Sequence, residues 1–281
     1  MPAVWRRGDA AYPPVLEDLE IPPAQLYVLG DPGMLDAPRV AVVGTRVPTE
    51  YGTRMARAIS TALAQAGACV ISGMARGIDA VAHRSALDVG GRTVAVLGTG
   101  IDVPYPVGHR ALHGTLSERA LVISEYPPGA HAHKGAFPRR NRIIAALAPL
   151  TIVVEAGERS GALNTTNHAL DLGRTVAAVP GPIDSPQSVG ANRLIRDGAT
   201  PICDIADVFA LAHVSAPLHS RDVELREPEA RVMEALRNGG LGPDELSNRA
   251  NLPARECLVA VGSLELLGLV ECLLTGEVRR R

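Results

Sequence analysis

Lys134-Gly-Ala-Phe-Pro-Arg-Arg-Asn-Arg142 gathers four cations and one aromatic ring into nine residues. No Asp or Glu occurs between Glu125 and Glu155, so nothing nearby in the sequence is expected to neutralise that charge. Lys134 is the only lysine of the chain, and Phe137 is one of two phenylalanines. Cations draw phosphates by releasing counterions, and a flat ring offers a stacking surface to a base of any identity. Arg139, Arg140 and Arg142 run into an expected helix start, where the helix dipole disfavours positive charge. Either a bound anion offsets that cost, or one or more of these arginines only orients the helix. The competing reading is a solvated basic loop with Phe137 turned into the core.

Three further stretches carry residues suited to an anion. Gly44-Thr45-Arg46 follows an apolar run and reads as a phosphate loop or as a tight turn with an exposed arginine. Ser72-Gly-Met-Ala-Arg-Gly-Ile-Asp79 sets Gly73, Arg76, Gly77 and the Ser72 hydroxyl ahead of a helix start, where backbone N–H groups favour an anion. Its glycines equally fit a plain turn. Glu155 to Thr166 again places small and hydroxyl residues, Ser160 and Gly161 among them, at a helix start. Glu155 itself reads as an orienting or capping carboxylate, or as the general base of a glycosidic hydrolase. His83, on an apolar helix face, reads as a core residue, and His131 and His133 show no metal spacing. The pattern argues against a nicotinamide-dependent oxidoreductase, since there is no G-x-G-x-x-G and no ribose-binding acid follows the second strand before Asp79; no Walker Lys-Ser/Thr is present either.

These stretches need a scaffold, and the hydropathy pattern supplies one. Val40–Val43, Ala68–Ile71, Thr93–Leu97, Ala120–Ser124, Leu150–Val154 and Thr175–Val179 are short apolar runs separated by helical stretches. The helices are expected from Thr49 or Thr53 to about 65 and at 80–89, 107–119, 139–148, 161–173 and 190–197, with Met55, Ala58, Ile59, Ala62 and Leu63 as the apolar face of the first and Asp79 as the cap of the second. Alternation of this kind predicts an α/β protein with a doubly wound parallel sheet. Ligands of such sheets bind beyond the carboxyl ends of the strands, where all the polar stretches fall. Residues 1–38 read as a Pro-rich, loop-rich lead-in with one possible edge strand at 25–30. Residues 213–227 read as a linker, and 228–281 as helix, helix, turn, helix and a hairpin at 268–276, the winged-helix order. From Leu225 onward that segment holds eight arginines against nine acids, a poor footprint for duplex DNA.

Composition sets the outer limits. The chain has 281 residues, 46% hydrophobic, a net charge of −2 and only 3% aromatics, so a real aliphatic core forms and any nucleic-acid site must be local. Cys69, Cys203, Cys257 and Cys272 show no C-x-x-C and read as buried free thiols of a reducing compartment. No apolar leader or membrane-length run occurs, which predicts a cytoplasmic location.

Taken together, the stretches resemble the DprA/Smf family of bacterial DNA-processing proteins. The resemblance rests on Val40-Ala-Val-Val-Gly-Thr-Arg46, Ser72–Asp79 with Ala82-His83, Val94–Gly98 with Tyr105-Pro106, and Ser124-Glu-Tyr-Pro127. It continues through Phe137-Pro-Arg-Arg-Asn-Arg-Ile-Ile144, Glu155-Ala-Gly with Ser160-Gly161, Gly173-Arg174, Val179-Pro-Gly181 and Asn192–Ala199. It covers roughly residues 12–210. It implies an extended Rossmann-like domain that binds and protects single-stranded DNA, loads RecA recombinase in natural transformation, and acts as a homodimer without a cofactor or catalysis. Arg46, Lys134, Phe137 and Asn141 match DNA-contact positions, and Gly44, Ser72, Gly73 and Ser160 match backbone-facing positions of the same pocket. The helical domain that precedes the sheet in many members is not expected here, and Asn164-Thr-Thr166 departs from a usually more apolar sequence.

The expectation is therefore an extended Rossmann-like sheet domain at 39–212 and a C-terminal winged-helix domain. The expected DNA-binding set is Gly44, Thr45, Arg46, Ser72, Gly73, Arg76, Gly77, Lys134, Phe137, Arg139, Arg140, Asn141, Arg142, Ser160 and Gly161. Two alternatives stand beside it. One is a nucleotide phosphoribohydrolase with Glu155 as base, weakened because Pro180-Gly-Pro182 does not supply the Pro-Gly-Gly pattern of such enzymes. The other is a duplex-binding regulator led by the winged helix.

Overall fold

The computed structural model describes residues 2–133, 135–216, 225–266, 269–273 and 276–280. The chain divides into two compact units, Met1–Pro217 and Leu218–Arg281. In chain order the first holds β1 (Ala3–Arg6), β2 (Gln25–Gly30), β3 (Arg39–Val43), α1 (Glu50–Gln65), β4 (Cys69–Ser72), α2 (Ile78–Asp88), β5 (Arg92–Leu97), α3 (Arg110–Arg119) and β6 (Leu121–Ser124). It continues with α4 (Ala136–Leu147), β7 (Leu150–Val153), α5 (Ala162–Asp171), β8 (Thr175–Ala178), α6 (Val189–Arg196), β9 (Thr200–Pro201) and α7 (Ile205–Ala212).

The strands form one nine-stranded sheet in the order β1-β2-β6-β5-β4-β3-β7-β8-β9. It is parallel from β6 to β9, with β2 antiparallel to β6 and β1 antiparallel to β2. The chain builds outward from β3 to β6, then returns through α4 to the other side of β3 and builds outward again from β7. The strand order reverses at the β3–β7 pair, so their carboxyl ends flank the crevice where such folds bind ligands.

Strand alternation sorts the core. Val40 and Val42 join Ile59 and Leu63 of α1 on one face, while Ala41 and Val43 join Ile143, Ile144 and Leu147 of α4 on the other. A strand buried on both faces is mainly apolar, which is why β4, β6 and β7 read as short apolar runs, with the small hydroxyl residues Ser72, Ser124 and Thr151 as their buried polar members. Leu112 and Leu116 of α3 pack over Leu97 and Ile101.

Several expectations are corrected. Residues 3–6 form an outermost strand, so β2 is flanked on both sides and is not an edge; Trp5 packs into the core. The buried face of α1 runs through Ala56, Ile59, Ser60 and Leu63, one position round from the expected stripe. Residues 107–119 break into a short 3-10 turn followed by α3. α4 starts at Ala136 rather than at Arg139, because Pro138 is accommodated in the first turn, where its missing N–H costs nothing. Cys69 and Cys257 are buried, whereas Cys203 and Cys272 are exposed; all four are free thiols.

The second unit holds α8 (Glu227–Ala235), α9 (Pro243–Ala250), α10 (Ala254–Leu266) and the antiparallel strands β10 (Val270–Cys272) and β11 (Val278–Arg280). The hairpin's return strand lies beyond the expected 268–276. Val232, Leu246, Leu252, Val261 and Leu264 make its core, and Asn251 turns the chain in the left-handed region between α9 and α10. Arg231, Arg237, Arg249 and Arg279 pair with Glu227, Glu234, Glu245 and Glu271. On α10, Leu258 and Val259 are exposed.

Candidate nucleic-acid interface

The crevice is assembled from loops that close on one another. Thr45 N–H donates to the Glu155 carbonyl at 2.7 Å, tying the ends of β3 and β7 together. Gly44 is needed there: a Cβ would lie 2.5 Å from Ile78 Cγ1 and 2.9 Å from the Glu155 carbonyl oxygen. The buried Glu155 carboxylate accepts from Thr49 twice, from N–H at 2.8 Å and from the hydroxyl at 2.6 Å. It holds the start of α1, which is the orienting role. Both oxygens are occupied, so it is poorly placed as a general base.

The loop after β4 is an anion site that the protein fills itself. Gly73 and Ala75 donate their N–H groups to the buried Asp79 carboxylate at 3.2 and 3.3 Å. Asp79 therefore does not cap α2 as expected; Gly77, with φ of 75°, stands at that position. Burial pushes the Asp79 pKa up, opposed chiefly by the Arg140 charge. The Ser72 hydroxyl, expected to face an anion, is buried and donates to the Val42 carbonyl at 2.7 Å. Gly73 is also buried, packed where any Cβ would meet the Arg140 guanidinium.

The cationic stretch divides. Arg140 is buried: it donates to the carbonyls of Gly73, at 2.7 Å, and of Val96, and its Nε donates to Asn141 Oδ1 at 3.2 Å. Burial lowers its pKa to about 10, with Asp79 working the other way. Arg142 is buried too and bonds both oxygens of Glu125 at 2.7 and 2.8 Å. The exposed Arg139 reaches the same carboxylate at 3.1 Å. The expectation that nothing neutralises these charges is thus wrong: Glu125, at the end of β6, folds back onto α4. Lys134 lies outside the described residues.

What remains open to solvent is a smaller set. Arg46 is exposed and makes no ion pair among the described residues; its Cζ lies 5.5 Å over the centroid of the half-buried Phe137 ring. Arg76 and Arg159 are likewise exposed and unpaired in that sense. Asn141 donates to the Gly161 carbonyl at 3.3 Å and to Asn164 Oδ1 at 3.2 Å, linking α4 to the start of α5. A cleft of about 440 Å³ runs over this network, lined among others by Gly44, Thr45, Arg46, Phe137, Ser160 and Gly161. Ser160 Oγ accepts from Ala162 N–H at 3.3 Å. The fold therefore gathers Gly44, Thr45, Arg46, Phe137, Asn141, Ser160 and Gly161 around one opening with the buried Arg140 in its wall, while Ser72, Gly73 and Arg142 are engaged in bonds within the protein.

Arg159 and Tyr105 also line clefts here, and no charge run or spacing in the sequence marks either as a site residue. Arg159 lines the crevice, but its neighbour Glu158 makes it read as locally neutral. Tyr105 meets Phe137 with ring centroids 5.0 Å apart. His83 is the core residue expected. No group of three or more potential metal ligands occurs among the described residues.

The family model for DNA recombination-mediator protein A matches residues 3–213, and that for the DprA winged helix domain matches residues 216–273. The chain belongs to the DprA/Smf family of DNA-processing proteins. It is 44% identical over 262 residues to a putative DNA processing protein DprA of Mycobacterium tuberculosis, covering 89% of this chain and 67% of that one. It is 41% identical over 202 residues to DprA of Streptococcus pneumoniae, covering 72% and 71%. The solved DprA structure from S. pneumoniae superposes with a TM-score of 0.72 at 40% identity, over 74% of each chain. DprA of Helicobacter pylori, whose structure is described as showing a single-stranded DNA binding mode, gives a TM-score of 0.69 at 29% identity, over 75% of this chain and 96% of that one. Among the described residues, no helix is long and apolar enough to cross a membrane.

Proposed function

We propose that the protein binds single-stranded DNA at the carboxyl edge of its sheet, shields the strand, and passes it to RecA recombinase, acting as a cytoplasmic homodimer without turnover. The observation that carries this reading is the pairing of an unneutralised cation, Arg46, with an accessible ring, Phe137, at the crevice where the strand order reverses. A phosphate and an unpaired base need those two groups side by side. A relative with the same fold is described as binding single-stranded DNA. In this assignment Arg46, Lys134, Arg76 and Arg159 face phosphates and Phe137 stacks a base. Asn141, Thr45 and the backbone at Gly44, Gly77, Ser160 and Gly161 contact sugar or base edges, while Arg139 is an outer, partly neutralised contact.

The test compares fluorescein-labelled single- and double-stranded oligonucleotides of one sequence at two salt concentrations. Tight, salt-sensitive binding that favours the single strand supports the reading. Equal or stronger binding of duplex overturns it. Acceleration of RecA's strand-dependent ATP hydrolysis on covered DNA tests the transfer step, and release of free base from nucleoside monophosphates would restore the hydrolase alternative.

A further inference from the structure

Phe137 and Arg46 line three neighbouring clefts, and only one of them is the glycine-rich crevice. A second, also of about 440 Å³, opens on the other side of Phe137, under the chain that follows β5. Its walls include Leu97, Pro106, Tyr105, Val47 and Val107. Three of these are large apolar side chains left in solvent: Val47 is 74% exposed, Val107 70% and Tyr105 43%. Singly such residues are ordinary, but three around one opening mark a surface that meets a ligand. The rim is cationic. Arg46 and Arg76 both line it, and neither has an acidic partner among the described residues.

Ring geometry limits where a base can go. The Tyr105 and Phe137 centroids are 5.0 Å apart with planes at 34°, so the two rings already touch. No base enters between them; each ring can only offer its other side. We propose that this second cleft seats a further nucleobase of the bound strand, stacked on Tyr105 with Arg76 on its phosphate, next to the nucleotide held by Arg46 and Phe137. The occupant is a base rather than an apolar protein side chain because the rim is lined by unpaired arginines continuous with the crevice. The inference rests on the single-stranded DNA reading above and gives that site a length of at least two adjacent nucleotides.

The experiment uses the full chain and two fluorescein-labelled probes of equal length, oligo-dT and the same backbone with abasic sites. Stacking on a single ring is worth tenfold or more in affinity, on the order of that seen for other base–aromatic contacts. Tyr105→Ala is expected to bind oligo-dT about tenfold more weakly than wild type and the abasic strand equally well, with Tyr105→Phe restoring oligo-dT binding. In Tyr105→Trp the new indole is expected to be quenched by oligo-dT and not by the abasic strand, against a constant background from the buried Trp5. Equal losses on both probes, or none on either, overturn the second seat while leaving the first intact. Failure of the wild-type protein to bind oligo-dT overturns both readings together.

Discussion

The Arg46 guanidinium carbon lies 5.5 Å over the centre of the Phe137 ring. One residue leaves β3 and the other enters α4, so the contact forms only when the two halves of the sheet have closed on each other. A cation resting on a ring is worth about 0.5–1 kcal/mol at an exposed site and holds both groups in place before DNA arrives. Phe137→Ala should weaken single-stranded oligonucleotide binding by about 1–3 kcal/mol. Arg46→Ala should also weaken it, and the double variant should lose measurably less than the sum, by about 0.5 kcal/mol or more. Fluorescence anisotropy titrations complete the cycle; strict additivity would show that the two groups bind independently.

Salt dependence separates the arginines that face phosphate from those that support the fold. For single strands the slope of log K against log salt falls by about 0.7 per phosphate neutralised. Arg46→Gln, Arg76→Gln and Arg159→Gln should each flatten the slope by about that amount. Arg139→Gln should flatten it less, because Glu125 already holds that guanidinium. A slope unchanged in all four variants would place the DNA elsewhere on the protein.

Arg140 and Arg139 are adjacent in sequence and opposite in consequence. Removing the Arg140 guanidinium strands the Gly73 and Val96 carbonyls and leaves the buried Asp79 carboxyl without its compensating charge. Arg140→Met is expected to cost about 3–5 kcal/mol of folding stability. Arg139→Ala, whose ion pair with Glu125 is solvent-exposed on the arginine side, should cost about 0–1 kcal/mol. Urea unfolding of both variants decides the matter, and similar midpoints would refute the division.

The sequence reveals the sheet through its apolar runs because a strand covered on both faces admits few polar residues, here only small hydroxyls such as Ser72 and Thr93 that bond a neighbouring strand's carbonyl. Arg46 and Phe137 are legible for the opposite reason: each stands out where a strand or loop ends. The strand order is not legible, since β7 joins β3 through packing of α4 under the sheet, a contact no local pattern records. The neutralised charges are not legible for the same reason. Glu125 is 14 residues from Arg139 and 17 from Arg142, beyond any helical spacing. Asp79 looked like a cap because the signal for a carboxylate at a helix start is the same whether it serves the helix or the loop before it. The outermost strand β1 buries only Trp5, so no apolar run marks it.

In the second unit, the four ion pairs formed by Arg231, Arg237, Arg249 and Arg279 remove much of its cationic surface. Leu258 and Val259 face solvent on α10, where a duplex reader would carry polar or basic side chains. Leu258→Ser with Val259→Ser should therefore leave oligonucleotide affinity unchanged within about 0.5 kcal/mol. A loss of DNA affinity in that variant would give α10 a direct role in binding.

His83 makes stability depend on pH. Thr93 donates its hydroxyl proton to the Val70 carbonyl at 2.7 Å, so its oxygen must accept from His83 Nδ1–H, also at 2.7 Å. Nε2 is then the bare nitrogen, buried with no hydrogen-bond partner. Protonating it would create a charge in the core, and burial, with the Arg140 and His109 charges, lowers the pKa to about 3. The unfolded chain takes the proton near the ordinary value of 6.5 while the folded chain refuses it. Stability from this residue is complete above pH 6.5 and falls as pH drops toward 3, by up to about 1.4 kcal/mol per pH unit. Asp79 acts in the opposite sense, its raised pKa reducing stability as pH climbs above 3.8. That contribution is common to wild type and His83→Asn, so the difference between their curves isolates the histidine. Urea unfolding from pH 4.5 to 7.5 should give a flatter profile for His83→Asn below pH 6.5; parallel profiles would mean that the folded protein accepts the proton on His83 after all.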